Sequence, residues 1–135
     1  MTATKILDTF ALITFFEDEP GADFMRGLFL EAEAGNVKLA MSVVNLGEVW
    51  YSVAREVSPQ QADSIIQEIH GMAIEIVDAD WKLTQQAAIY KSRGGISYAD
   101  CYAAALAKLR KAELVTGDPE FKKLKDEVTT IWNKN

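Results

Sequence analysis

Four carboxylates stand where the chain could gather them into one site: Asp8, Glu48, Asp100 and Asp118. Asp8 follows the apolar run Lys5-Ile6-Leu7. Asp118 follows Leu114-Val115-Thr116-Gly117 and precedes Pro119. Asp100 falls in the first turn of a helix that Ser97 caps, and Glu48 within two turns of a helix that Ser42 opens. In a wound α/β fold, strand C-terminal ends and helix starts share one edge of the sheet, so the winding alone directs these acids to a single crevice. Like charges that close repel unless a cation holds them. Oxygen donors without histidine or thiolate specify Mg²⁺ or Mn²⁺ rather than zinc. Ions held this way orient a water, lower its pKa and neutralise charge on a scissile phosphate, which is the chemistry of phosphodiester hydrolysis. Asp8, Asp100 and Asp118 are the expected metal ligands. Glu48 would hold a second ion or position the attacking water.

Taken singly, each acid has a plainer explanation. Asp8 and Asp118 suit helix N-caps, the latter with Pro119 at the first helical position. Ser97-Tyr98-Ala99-Asp100 resembles a capping box with Asp in the acidic place, favoured there by the helix dipole. Glu48 shares a polar strip with Asn45 and Ser52 that would serve as a solvated face. Taken together, their convergence on one sheet edge favours the metal. Thr116, two residues before Asp118, is a further candidate for the site, although a β-branched residue also suits a strand. Lys91 and Arg93, just before Gly94-Gly95 and near Asp100 in sequence, are candidate contacts to substrate phosphates. Cys101 points elsewhere around its helix, at about 100° per residue, and is expected in the core.

The elements that must position these residues alternate. A strand at 5–7 steps into a helix from Thr9, ended by Glu17-Asp18-Glu19-Pro20-Gly21. A helix over Ala22–Ala34, with Phe24, Leu28 and Ala32 on its inner face, closes at Gly35-Asn36. A strand over Val37–Met41 leads to a helix from Ser42 to about Glu56, its buried face read as Leu46, Val49, Trp50, Val53 and Val57. Ser58-Pro59 starts the next helix, with Ala62, Ile65, Ile66 and Ile69 inward. A strand over Ala73–Val77 follows, then a helix capped by Asp80 and running from Trp81 to about Lys91. After Asp118 a short helix reaches about Lys125, and Thr129–Trp132 is the final strand. Such alternation predicts an α/β fold with a mostly parallel sheet covered on both faces.

At 135 residues the chain is expected to be one domain spanning residues 1–135. No apolar run approaches the roughly 20 residues a membrane span needs, and the N-terminus has no basic region leading into an apolar stretch, so no signal peptide is expected. One cysteine allows no internal disulfide, in keeping with the cytoplasm. A net charge of −6 argues against broad phosphate-backbone binding, so any nucleic acid would be held locally, with a metal offsetting the acids. The single histidine excludes mechanisms that need a histidine pair. A Walker-type phosphate loop and a nucleophile elbow are both absent.

Four stretches, LDTFALITFFEDEPGA, MSVVNLGEVWYSVARE, ISYADCYAAALA and LVTGDPEF, resemble those of PIN-domain ribonucleases, and more closely the VapC-type toxins of bacterial and archaeal toxin–antitoxin pairs. The resemblance covers nearly the whole chain and keeps the family's motif order. It implies a three-layer α/β/α sandwich with a five-stranded parallel sheet. It also implies an Mg²⁺- or Mn²⁺-dependent endoribonuclease acting on tRNA, rRNA or mRNA, and a homodimer neutralised by a cognate antitoxin. The family's acidic quartet falls on Asp8, Glu48, Asp100 and Asp118. The competing reading is a non-catalytic protein-binding module on the same fold. Phosphoryl transfer through Asp8 is set aside, because the haloacid-dehalogenase pattern needs a second Asp where Phe10 stands.

Overall fold

The computed structural model describes residues 2–132. Strand β1 (Thr4–Leu7) leads to helices α1 (Thr9–Phe16) and α2 (Ala22–Glu33). Strand β2 (Lys38–Ser42) leads to α3 (Val43–Glu56) and α4 (Pro59–His70). Strand β3 (Ile74–Val77) precedes α5 (Trp81–Ser92) and α6 (Tyr98–Arg110). Strand β4 (Glu113–Thr116), a 3₁₀ helix (Pro119–Leu124) and β5 (Thr130–Trp132) complete the order. All strand pairs are parallel, in the order β3-β2-β1-β4-β5.

Side-chain alternation along the strands divides the core into two. Ile6, Ala40 and Leu114 pack with residues of α5, α6 and the 3₁₀ helix, among them Tyr90, Tyr102 and Phe121. Their chain neighbours Leu7, Leu39, Met41 and Val115 pack with α1 to α4 on the other face. A strand with both faces covered must be apolar at consecutive positions, as these are. The chain winds outward from β1 to β3 with its helices on one face, then returns to β4 and β5 with its helices on the other. Reversal of direction and change of face go together when crossovers keep one hand. The result is the expected three-layer α/β/α sandwich.

Helix starts follow the sequence. Asp8, Ser42, Ser58, Asp80, Ser97 and Asp118 each accept a backbone amide in the following turn. Helix phase departs from expectation in two places. In α2 the buried row is Ala22, Met25, Phe29 and Ala32, while Phe24 is exposed and Leu28 half-buried. A row spaced strictly by four drifts by about 40° per step, so Phe24 and Leu28 leave the face that Ala32 occupies. In α3, Trp50 and Val57 are exposed rather than buried. Trp50 is one position round from buried Val49 and donates its indole N–H to Asp63 at 2.9 Å. Val57 lies past the helix end, where helical phase no longer applies. No helix is long and apolar enough to cross a membrane among the described residues.

Candidate metal centre

Strands β1 and β4 are neighbours at the point where strand order reverses, which is where crevices open at the C-terminal edge of such sheets. Asp8 and Asp118 follow those two strands. Asp8 is 1% exposed. Its Oδ1 accepts from the Ala11 amide at 2.8 Å, and its Oδ2 accepts from the Thr116 hydroxyl. Burial pushes the Asp8 carboxyl up to about 7, against the pull of those two hydrogen bonds, and the charges of Asp118 and Glu48 add to the rise.

Asp100 enters from the first turn of α6, its amide donating to Ser97 Oγ at 3.3 Å. It is also buried. Burial first, then Asp118, Glu120 and Asp8, raise its carboxyl to about 9. Asp118 is held by its own amide, which donates to Thr116 Oγ1 at 2.9 Å, and its Oδ1 accepts from the Glu120 amide at 2.9 Å. Asp100, Asp118 and Glu120 bring carboxylate oxygens within 4.8 Å of one another.

Asp8 and Glu48 lie outside that group of three. Asp8 sits beneath it, tied through Thr116. Glu48 lines the same cleft from α3, its Oε2 accepting from the Tyr51 hydroxyl at 3.1 Å. The cleft holds about 380 Å³, and its lining includes Glu48, Asp100, Asp118 and Glu120. Every acid proposed from the sequence therefore stands in the cleft or directly under it. Glu120 was missed. The available signal was an acid two residues after Asp118, in a turn whose start Pro119 fixes.

Asn45 was also missed as a functional residue. It is fully buried, not part of a solvated strip. Its Nδ2 donates to Thr9 Oγ1 at 3.2 Å and to the Ala99 carbonyl at 3.1 Å, while Thr9 Oγ1 donates to the Asn45 carbonyl at 3.2 Å. Thr9 follows Asp8, Ala99 precedes Asp100, and Glu48 lies one turn on from Asn45. One amide thus braces three acid-bearing helices. Among the described residues its Oδ1 has no hydrogen-bond partner.

The candidate substrate contacts fare differently. Thr116 is fully buried and engaged with Asp8 and Asp118, so it orders the acids and does not face the cleft. Lys91 and Arg93 do not line the cleft. Lys91 Nζ donates to the Ile96 carbonyl at 2.9 Å, closing the loop before α6. Arg93 pairs with Glu127 and lies over the Tyr90 ring. Cys101 is buried, as expected.

Oxygen-only donors crowded to this degree fit a hard divalent cation. They do not fit zinc, since neither the sole histidine, His70, nor Cys101 belongs to the cluster.

The family model described as PIN domain matches residues 5–127. No curated protein sequence matches the chain. Among solved structures, VapBC2 of Rickettsia felis, bound to a DNA fragment from its promoter, aligns with a TM-score of 0.73 at 23% identity, over 95% of this chain and 97% of that one. DNA-bound VapBC of Salmonella typhimurium aligns at 0.74 and 21%, over 97% and 98%. VapC20 of Mycobacterium tuberculosis, described as a sarcin-ricin loop cleaving toxin, aligns at 0.66 and 15%, over 82% and 86%. At these identities the likeness is one of fold.

Proposed function

The chain belongs to the PIN domain family, and from that premise we propose that it is an Mg²⁺- or Mn²⁺-dependent endoribonuclease, the toxin of a type II toxin–antitoxin pair. One observation carries the reading: three carboxylates within 4.8 Å of one another beside a cleft, with Asp8 buried below and Glu48 on the α3 side. Burial and the neighbouring acids raise the Asp100 carboxyl to about 9, so it keeps its proton at neutral pH unless a cation replaces it. Such a pocket at the switch point of the sheet supports the reading of this edge as a cation site. When bound, the ion supplies charge neutralisation at a scissile phosphate and a lowered pKa for the attacking water.

The chain's own residues divide the remaining work. Asp8, Asp100 and Asp118, joined by Glu120, hold the ion. Glu48 positions the attacking water or a second ion, with the Tyr51 hydroxyl fixing one of its oxygens. Thr116 and Asn45 touch no substrate and hold the acids in register. The M. tuberculosis neighbour, described as cleaving the sarcin-ricin loop, supports RNA as substrate. The VapBC neighbours support a cognate antitoxin as partner; a homodimer in the cytoplasm is part of the same proposal.

Incubating the purified protein with structured RNA in Mg²⁺ or in EDTA tests this reading. Cleavage in Mg²⁺ alone, lost in Asp100→Asn, is the expected result. RNA left intact in both would favour the binding module on the same fold.

A further inference from the structure

The clustered acids come from two elements that meet at the cleft. Asp100 lies in the first turn of α6, whereas Asp118 and Glu120 flank Pro119 at the start of the 3₁₀ helix. Between them the chain runs down α6 to the opposite edge of the sheet and returns along β4. Carboxylates within 4.8 Å of one another push the two elements apart whenever they are charged. Contacts across the gap must therefore hold the start of α6 against the 3₁₀ helix. Apolar packing does part of this, since Phe121 and Leu124 share a core with Cys101 and Ala105.

At the rim the loop between α5 and α6 does the rest. Lys123, on the 3₁₀ helix, donates from Nζ to the Gly95 carbonyl at 2.6 Å. Lys91, on α5, donates from Nζ to the next carbonyl, that of Ile96, at 2.9 Å, and Cys101 Sγ stands 3.9 Å from the same oxygen. Two successive carbonyls are thus each taken by an ammonium, one from either neighbouring element. Hydrogen bonds from charged donors are the stronger kind. The stem of Lys123 is fitted to the loop as well. A Cβ on Gly95 would stand 3.0 Å from Lys123 Nζ and 3.6 Å from its Cδ, and Gly95 holds φ at +84°, where a side chain is strained. The Ser97 amide donates to Glu120 Oε1 at 3.4 Å, a weaker tie across the same gap.

We propose that Lys91 and Lys123 are positioning residues of the metal centre. By pinning the Gly95 and Ile96 carbonyls they hold Asp100 at the separation from Asp118 and Glu120 that a divalent ion requires. The inference rests on the reading of these acids as a cation site, and it gives neither lysine a contact with substrate. Simple electrostatics has the opposite sign. An ammonium near a cation site repels the ion, so its removal by itself tightens binding. Loss of a tie that shapes the site weakens binding, and the direction of the change separates the two.

The test titrates Mn²⁺ calorimetrically, without RNA, into metal-free wild type, Lys123→Met, Lys123→Arg and Lys91→Met. Amide hydrogen exchange is followed in the same metal-free proteins. Methionine keeps most of the stem and removes the donor. Each methionine variant should weaken Mn²⁺ binding about tenfold and speed exchange over residues 94–101, with exchange in β1 and β4 unchanged. Lys123→Arg keeps a donor and should stay near wild type in both. Lys125→Met removes the same charge from an exposed position at the end of the 3₁₀ helix and should not weaken binding. Lys91→Gln replaces Lys91→Met if the latter unfolds. Affinity that is unchanged or tighter in Lys123→Met, or exchange over 94–101 that matches wild type, overturns the proposal. A wild type that takes up no Mn²⁺ fails the cation-site reading instead. The exchange comparison then decides by itself whether the lysines hold the acid-bearing elements together.

Discussion

Thr116 donates its hydroxyl to Asp8 Oδ2 across 108 positions of sequence, and Thr116 Oγ1 itself accepts from the Asp118 amide at 2.9 Å. A single buried hydroxyl thereby joins the two acids that follow the adjacent strands β1 and β4. Thr116→Val keeps the shape and removes both bonds. It should lower stability by about 1–3 kcal/mol in urea denaturation and reduce kcat for RNA cleavage, while Thr116→Ser should retain both. Equal stability and kcat in the valine variant would show that the hydroxyl does not order the acids.

Burial sets the sign of the pH dependence. The Asp8 and Asp100 carboxyls are raised from 3.8 to about 7 and about 9. Between the lower and upper values the folded protein binds more protons than the unfolded chain, so stability falls as pH rises. The stabilising contribution is complete below 3.8 and is lost through about 7 for Asp8 and about 9 for Asp100. In EDTA, Tm should fall between pH 5 and pH 9. Asp8→Asn and Asp100→Asn should flatten that fall and be neutral or stabilising at pH 8. Calorimetry of the metal-free protein checks this, and a metal-free Tm that climbs over the same interval contradicts it.

Asn45 braces α1, α3 and α6, and among the described residues its buried Oδ1 meets no hydrogen-bond donor. Both groups facing its Nδ2 need a donor, Thr9 Oγ1 because it already donates and Ala99 O because it is a carbonyl, so the amide cannot turn over. Asn45→Ala should destabilise by roughly 1–3 kcal/mol. It should also weaken Mn²⁺ binding in the protein that remains folded. Loss of stability with unaltered Mn²⁺ affinity would restrict Asn45 to a packing role.

Glu120→Gln removes one charge from the cluster while leaving an oxygen able to accept from the Ser97 amide, now at 3.4 Å. The fold should persist, and Mn²⁺ affinity should drop by about tenfold, the scale of altered coordination partners. Isothermal titration measures this directly. Wild-type affinity in the glutamine variant would remove Glu120 from the ligand set.

What was legible in the sequence follows from how local each feature is. Asp8, Ser42, Ser97 and Asp118 show themselves as caps because the amides they satisfy lie within three residues. The strand–helix alternation then places the acids at one edge without any knowledge of side-chain contacts. The buried face of α2 was displaced because Phe24 and Met25 are both apolar and only packing decides which turns inward. Lys91 and Arg93 are near Asp100 in sequence but not at the cleft. Gly94 and Gly95, at φ of 79° and 84°, turn the chain between them and α6, and Arg93 finds Glu127, 34 positions away. Asn45 looks like any polar residue on a helix until the partners that bury it, Thr9 and Ala99, arrive from other elements. Lys123 on Gly95 is likewise a long-range contact that no periodicity announces.

Divalent-ion uptake by the acids is the claim on which the rest depends. Titrating Mn²⁺ into wild type and Asp100→Asn at pH 7, with single-stranded RNA present and proton release followed in the same samples, reads it most directly. Saturable uptake with proton release and RNA cleavage is expected in wild type, because the ion displaces the proton that Asp100 otherwise keeps. Greatly weakened uptake and no cleavage are expected in the variant. Wild-type protein that takes up no Mn²⁺ under these conditions, or an Asp100→Asn variant that binds and cuts as well as wild type, would contradict it.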